Sequence, residues 1–74
     1  MLSFLVVALF AMVNINTASK DELKDLKGIG EVKAGKIVEY REENGDFKSI
    51  DDLTKVKGIG IGTLKNIKDE ITVK

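Results

Sequence analysis

Apolar positions recur along residues 19–71 at the spacing of short helices, interrupted by glycine. Ser19 and Glu22 form a capping-box signature, Asp21 suits a helix start, and Leu23 and Leu26 then share a face at a spacing of three. This first helix is short and ends at Gly28. A second helix is predicted from about Glu31 to Asn44, where Ala34, Ile37, Val38 and Arg41 form a stripe at i, i+3, i+4 and i+7 with Tyr40 alongside. Arg41 is expected to lay its stem on the core and keep its charge in water. Asn44-Gly45-Asp46 is a turn, and Phe47 is the expected plug between the halves. Ser49 is the expected cap of a third helix, with Asp51 and Asp52 in its first turn and Ile50, Leu53 and Val56 at intervals of three. The fourth helix, about 61–71, would place Ile61, Leu64, Ile67 and Ile71 inward, although Gly62 lowers its propensity. No strand is required, so the predicted fold is an all-α domain spanning residues 13–74.

The pattern is duplicated. Leu26-Lys27-Gly28-Ile29-Gly30 returns thirty residues later as Val56-Lys57-Gly58-Ile59-Gly60. Between the pairs 19/49 and 41/71, eight of 23 positions are identical, where chance would give about one or two. Four helices therefore form two halves with internal pseudo-two-fold symmetry. Each repeated phrase is a tight helix–helix turn in which glycine supplies backbone freedom and the central isoleucine can anchor inward. The N–H groups of the turn and of the following helix can then face outward, toward an anion.

Charge sharpens this picture. Formal net charge is zero. Yet residues 24–36 and 53–68 are locally basic, and 39–46, with Glu39, Glu42, Glu43 and Asp46 against Arg41, is acidic. Both glycine turns thus lie in basic stretches, and local patches rather than net charge attract a polyanion. With no cysteine and no histidine there is no disulfide, no thiolate metal site and no histidine base. No cofactor and no metal are expected, and the acids at 42, 43 and 46 are expected on a solvated helix face. Residues 30–37 approach a phosphate-loop motif, but Ile37 stands where a magnesium-binding hydroxyl is needed and no strand precedes it.

Residues 1–12 are apolar apart from Ser3, and too short for a bilayer span of about 20 residues. Their length fits the apolar part of an export signal whose basic start is missing. The alternative is a helix or strand packed on the domain.

The expected chemistry is sequence-independent binding of a nucleic-acid backbone. The first half offers Gly28, Ile29, Gly30, Val32 and Lys33, flanked by Lys27 and Lys36. The second offers Gly58, Ile59, Gly60, Gly62 and Thr63, flanked by Lys57 and Lys65, with the Thr63 hydroxyl standing where the first half has Lys33. Main-chain amides and lysines recognise phosphate but not base identity. Two related turns suit the two strands across a minor groove. There is no reading helix and no aromatic stacking platform, so duplex DNA is favoured over single strands.

These residues, together with Asn14-Ile15-Asn16-Thr17-Ala18-Ser19 and the connection 40–53, resemble a tandem helix-hairpin-helix domain of the ComEA-type competence proteins. The resemblance covers about 13–74. It implies a non-enzymatic receptor that binds double-stranded DNA outside the cytoplasmic membrane during natural transformation, with proteins of the DNA-uptake machinery as further partners. The hairpin contacts it implies fall on Gly28, Gly30, Lys33, Gly58, Gly60 and Thr63. Ile61-Gly62-Thr63 lacks a basic residue often found there, so the second half is expected to lean on Lys65 or to bind less tightly. Gram-positive receptors of this type carry a membrane anchor and an extra domain. The short chain with its apolar start is closer to the periplasmic Gram-negative form, which implies a periplasmic or otherwise exported location, or a cytoplasmic one if 1–12 is not a signal. Two other classes compete. Paired hairpins serve as protein-interaction surfaces in repair-associated proteins, and base-excision enzymes use the hairpin beside a base pocket, for which this chain is too short.

Overall fold

The computed structural model describes residues 12–74, and the apolar segment assigned to export lies outside these apart from Met12. The order of elements is β1 (Val13–Asn14), α1 (Lys20–Lys24), α2 (Gly30–Asn44), a 3₁₀ helix (Ile50–Lys55), α3 (Ile61–Ile67), a 3₁₀ turn (Lys68–Glu70) and β2 (Ile71–Thr72). The domain is all-α in substance, with four helices arranged as two hairpins.

The repeat is visible in the backbone bonds. Leu26 N–H donates to Leu23 O at 3.1 Å and Ile29 N–H to Leu26 O at 3.0 Å. Thirty residues on, Val56 N–H donates to Leu53 O and Ile59 N–H to Val56 O, both at 3.0 Å. A bond that reaches back three residues stacks side chains i and i+3 on one face. All six apolar residues on these ladders are buried. The same geometry explains a difference from expectation, because the third helix is 3₁₀ rather than α: its apolar period is three throughout.

The helix starts are built differently in the two halves. Ser19 Oγ accepts from Glu22 N–H at 3.1 Å while Glu22 Oε1 accepts from Ser19 N–H at 2.9 Å, a complete capping box. Ser49 makes no side-chain cap bond. There the Asp52 carboxylate reaches back and accepts from Lys48 N–H at 3.1 Å. That bond, with the neighbouring Lys55 ammonium at 3.5 Å, holds the Asp52 carboxyl below its ordinary pKa.

α2 runs as expected to a Gly45 stop at φ 87°, with Ala34 and Ile37 fully buried. Arg41 departs from a wet charge: its Nη1 donates to Ile15 O at 2.8 Å. Phe47 is buried and stacks on Tyr40 at 5.2 Å between ring centroids.

The fourth helix is shorter than expected. It unwinds after Ile67, and the β-branched run Ile71-Thr72-Val73 becomes extended, pairing in parallel with Val13–Asn14. Ile71 is still buried, but from a strand. Ile61 is not an inner residue; it is 68 % exposed. Ile59 fills the core at that point, and Ile61 occupies the position equivalent to Glu31, which is also outside.

Asn16 ties the ends to the middle. Its Nδ2 donates to Phe47 O at 3.0 Å and Val73 O at 3.2 Å, while its Oδ1 accepts from Phe47 N–H at 2.7 Å. One half-buried amide thereby joins the start of the domain, the connection between hairpins and the C-terminal strand. With this frame closed behind them, the two glycine turns are held in fixed relation.

Candidate nucleic-acid interface

Each hairpin turn begins at a left-handed glycine, Gly28 at φ 81° and Gly58 at φ 95°. A side chain rarely adopts this conformation, which reverses the chain after the i+3 ladder. The next glycines differ. Gly30 is again left-handed at φ 69°, whereas Gly60 is extended at φ −106°.

The two turns pack against each other reciprocally. A Cβ built on Gly28 would lie 3.9 Å from Thr63 Cγ2, and one built on Gly58 would lie 3.9 Å from Lys33 Cγ. Lys33 and Thr63 are themselves thirty residues apart, so each half presses the same position onto the other's glycine. The turns are therefore neighbours on the molecule, and their outward groups can meet one ligand.

Counting the turn amides corrects part of the expectation. Ile29 and Ile59 are buried, and their N–H groups are consumed by Leu26 O and Val56 O. They anchor the turns and offer nothing to a ligand; the i+3 ladder that positions the glycine uses up the next amide. By contrast, among the described residues the N–H groups of Gly28, Gly30 and Val32, and of Gly58, Gly60, Gly62 and Thr63, have no intramolecular partner. Glu31 and Ile61 N–H are equally unpartnered and were not among the expected contacts. The signal was present, since the first amides of a helix have no carbonyl behind them. Such N–H groups, exposed beside one another, suit an anion's oxygens.

The surrounding lysines divide into two groups. Lys20, Lys24 and Lys55 pair with Glu31, Asp21 and Asp52 at 3.5–3.6 Å. Lys27, Lys33, Lys36, Lys57 and Lys65 have no carboxylate within 4.0 Å among the described residues. The lysines flanking the two glycine turns are thus unpaired, as are Lys48, Lys68 and Lys74 elsewhere among the described residues. Lys33 Nζ rests on Gly28 O at 3.4 Å, over its own turn. Glu31 is the one acid between Lys27 and Lys36, and Lys20 pairs with it at 3.6 Å. Glu42, Glu43 and Asp46 are exposed, and no group of three or more potential metal ligands converges among the described residues. No helix among these residues is long and apolar enough to cross a membrane.

Comparison with known proteins agrees with this architecture. The family described as the helix-hairpin-helix motif matches residues 10–72. ComE operon protein 1 of Bacillus subtilis is 55 % identical over 64 residues, covering 86 % of this chain and 31 % of that protein. The human endonuclease/exonuclease/phosphatase family domain-containing protein 1 is 48 % identical over 61 residues, 82 % of this chain and 11 % of that protein. A Haemophilus influenzae protein is 48 % identical over 60 residues, 80 % of this chain and 54 % of its own length. The chain thus spans between about a tenth and a half of these relatives. With the repeated ladder, the paired glycine turns and these matches together, the chain belongs to the helix-hairpin-helix family, and within it to the ComEA type.

Proposed function

We propose that this domain binds double-stranded DNA without regard to sequence, through its hairpin amides and unpaired lysines, as the DNA-receiving module of a natural-competence system. The observation that carries this reading is the reciprocal contact of the hairpins, which sets two groups of unpartnered amides side by side among unpaired ammonium groups. Phosphates spaced along two strands of one minor groove are a matching ligand. The amides fix the phosphate oxygens, and the lysines replace counterions. Nothing in this apparatus touches a base edge, so sequence is not read. In this proposal the chain is a binding module rather than an enzyme, it acts outside the cytoplasmic membrane, and it hands DNA to uptake-machinery proteins.

The test is fluorescence anisotropy of the chain with labelled duplexes of unrelated sequence, over a salt series. Dissociation constants on the order of 10⁻⁴ to 10⁻⁶ M are expected near physiological salt, equal across sequences. If the five lysines Lys27, Lys33, Lys36, Lys57 and Lys65 all meet phosphates, the log–log salt slope approaches about −4.5, and each of them removed reduces its magnitude by about 0.9. Lys33→Glu and Lys65→Glu should each weaken binding by roughly tenfold. A flat salt dependence, or full affinity in both variants, contradicts the proposal and favours a protein-interaction role.

A further inference from the structure

We infer that Lys33 is the pin between the two hairpins, a positioning residue that sets their spacing and does not itself hold a phosphate; this rests on the binding reading above. Two observations single it out. Of the five lysines flanking the turns, Lys33 is half-buried, while Lys27, Lys36, Lys57 and Lys65 are exposed. Lys33 also reaches both turns at once. Its stem lies over Gly58, where a built Cβ would meet Cγ at 3.9 Å and Cε at 4.0 Å, and its ammonium donates to Gly28 O at 3.4 Å. One side chain thus touches a turn from each half of the repeat.

The make-up of the turns creates the need for a pin. Gly28 and Gly58 are left-handed, at φ 81° and φ 95°, so each is a glycine and neither turn owns a side chain where the halves meet. Whatever fills that gap must come from another position. The equivalent residue of the second half, Thr63, brings a methyl 3.9 Å from a Cβ built on Gly28. Thr63 is short, and a methyl forms no hydrogen bond. Lysine offers more, because its aliphatic stem can cover neutral surface while the charged tip finds a polar partner beyond it. Here the stem covers one turn and the tip is bonded to the other.

This separates Lys33 from its neighbours in what its loss should do. The exposed lysines keep their ammonium groups in water, where they can replace counterions, so losing one reduces the salt dependence of binding. The Lys33 ammonium is engaged on a carbonyl of its own turn. A binding constellation works only if its groups are held to within about half an ångström. Removing the pin blurs the separation of the two turns and removes no phosphate contact. Affinity falls while salt dependence stays.

The experiment measures duplex affinity over a salt series for the wild-type chain, K33A, K33M, K33R and K36M, with thermal melts to confirm folding and heteronuclear NMR spectra of the glycine amides. K33A loses stem and ammonium and should bind about tenfold more weakly, and K33M, which keeps most of the stem, about threefold more weakly. K33R keeps both stem and donor and should bind as wild type does. In these three the log–log slope should stay within about 0.3 of wild type, whereas K36M should reduce its magnitude by about 0.9. The Gly58 amide signal, from the other half, should move in K33A and stay in place in K36M. A slope reduced by about 0.9 in K33M makes Lys33 a phosphate contact and overturns the inference. An unmoved Gly58 signal in K33A, or wild-type affinity in a folded K33A, also overturns it while leaving backbone recognition intact. A wild-type chain that binds no duplex even at low salt overturns the binding reading and the positioning role with it, an outcome distinct from the others.

Discussion

Replacing Asn16 by alanine should loosen the whole domain, although Asn16 lies outside both hairpins. The amide makes three bonds, to Phe47 O at 3.0 Å, Val73 O at 3.2 Å and Phe47 N–H at 2.7 Å. Each such bond contributes about 0.5–1.5 kcal/mol net, and a half-buried site lets water replace part of what is lost. The loss is therefore about 2–3 kcal/mol. A domain of this length has only about 3–9 kcal/mol in total, so a large share disappears with one side chain. At about 4–8 °C per kcal/mol, the melting temperature should fall by roughly 8–24 °C, measured by circular dichroism at 222 nm. Asn44→Ala is the control, because its amide makes a single exposed bond to Tyr40 O at 3.0 Å and should shift the melt little. Asn16→Asp sharpens the test. A carboxylate in place of the amide would face two carbonyl oxygens, so that variant should be weaker at neutral pH than in acid, where a protonated oxygen can donate. An Asn16→Ala melt within about 4 °C of wild type would refute the idea that this residue holds the ends to the middle.

Two further outcomes follow from backbone and charge. Gly30→Ala forces a side chain into φ 69° and should destabilise by about 1–2 kcal/mol, whereas Gly60→Ala, at φ −106° with nothing within 4 Å, should be neutral or gain up to about 1 kcal/mol by restricting the unfolded chain; chemical denaturation of the two variants separates them. Asp52 has a folded pKa below its ordinary 3.8, chiefly from the Lys48 N–H bond, so its contribution is present above that value and is lost as the pH falls through the lowered folded pKa; melts between pH 6 and pH 2 should show a shallower acid loss for Asp52→Asn than for wild type.

Much of this protein was determined by residues within four positions of one another. The Ser19–Glu22 capping box, the Gly45 stop, the left-handed glycines and the i+3 apolar ladders are local devices, and the duplication made the two-hairpin fold legible. Local spacing also set the limits of that reading. It counted the amides of Ile29 and Ile59 as outward because it did not follow their bonds back to Leu26 and Val56, and it turned Ile61 inward because a helical period alone cannot say that Ile59 already fills the core. Only the tertiary structure decided the rest. The Asn16 latch joins groups 31 and 57 residues apart, and the closure of Val13–Asn14 on Ile71–Thr72 spans nearly the whole domain. The contact of each hairpin glycine with the other half's Lys33 or Thr63 is of the same kind, and it is what turns two separate bends into one surface. A periodic pattern encodes which face of an element is apolar. It does not encode which distant backbone group will lie within 3 Å of a side chain, because that depends on how the faces stack once they meet.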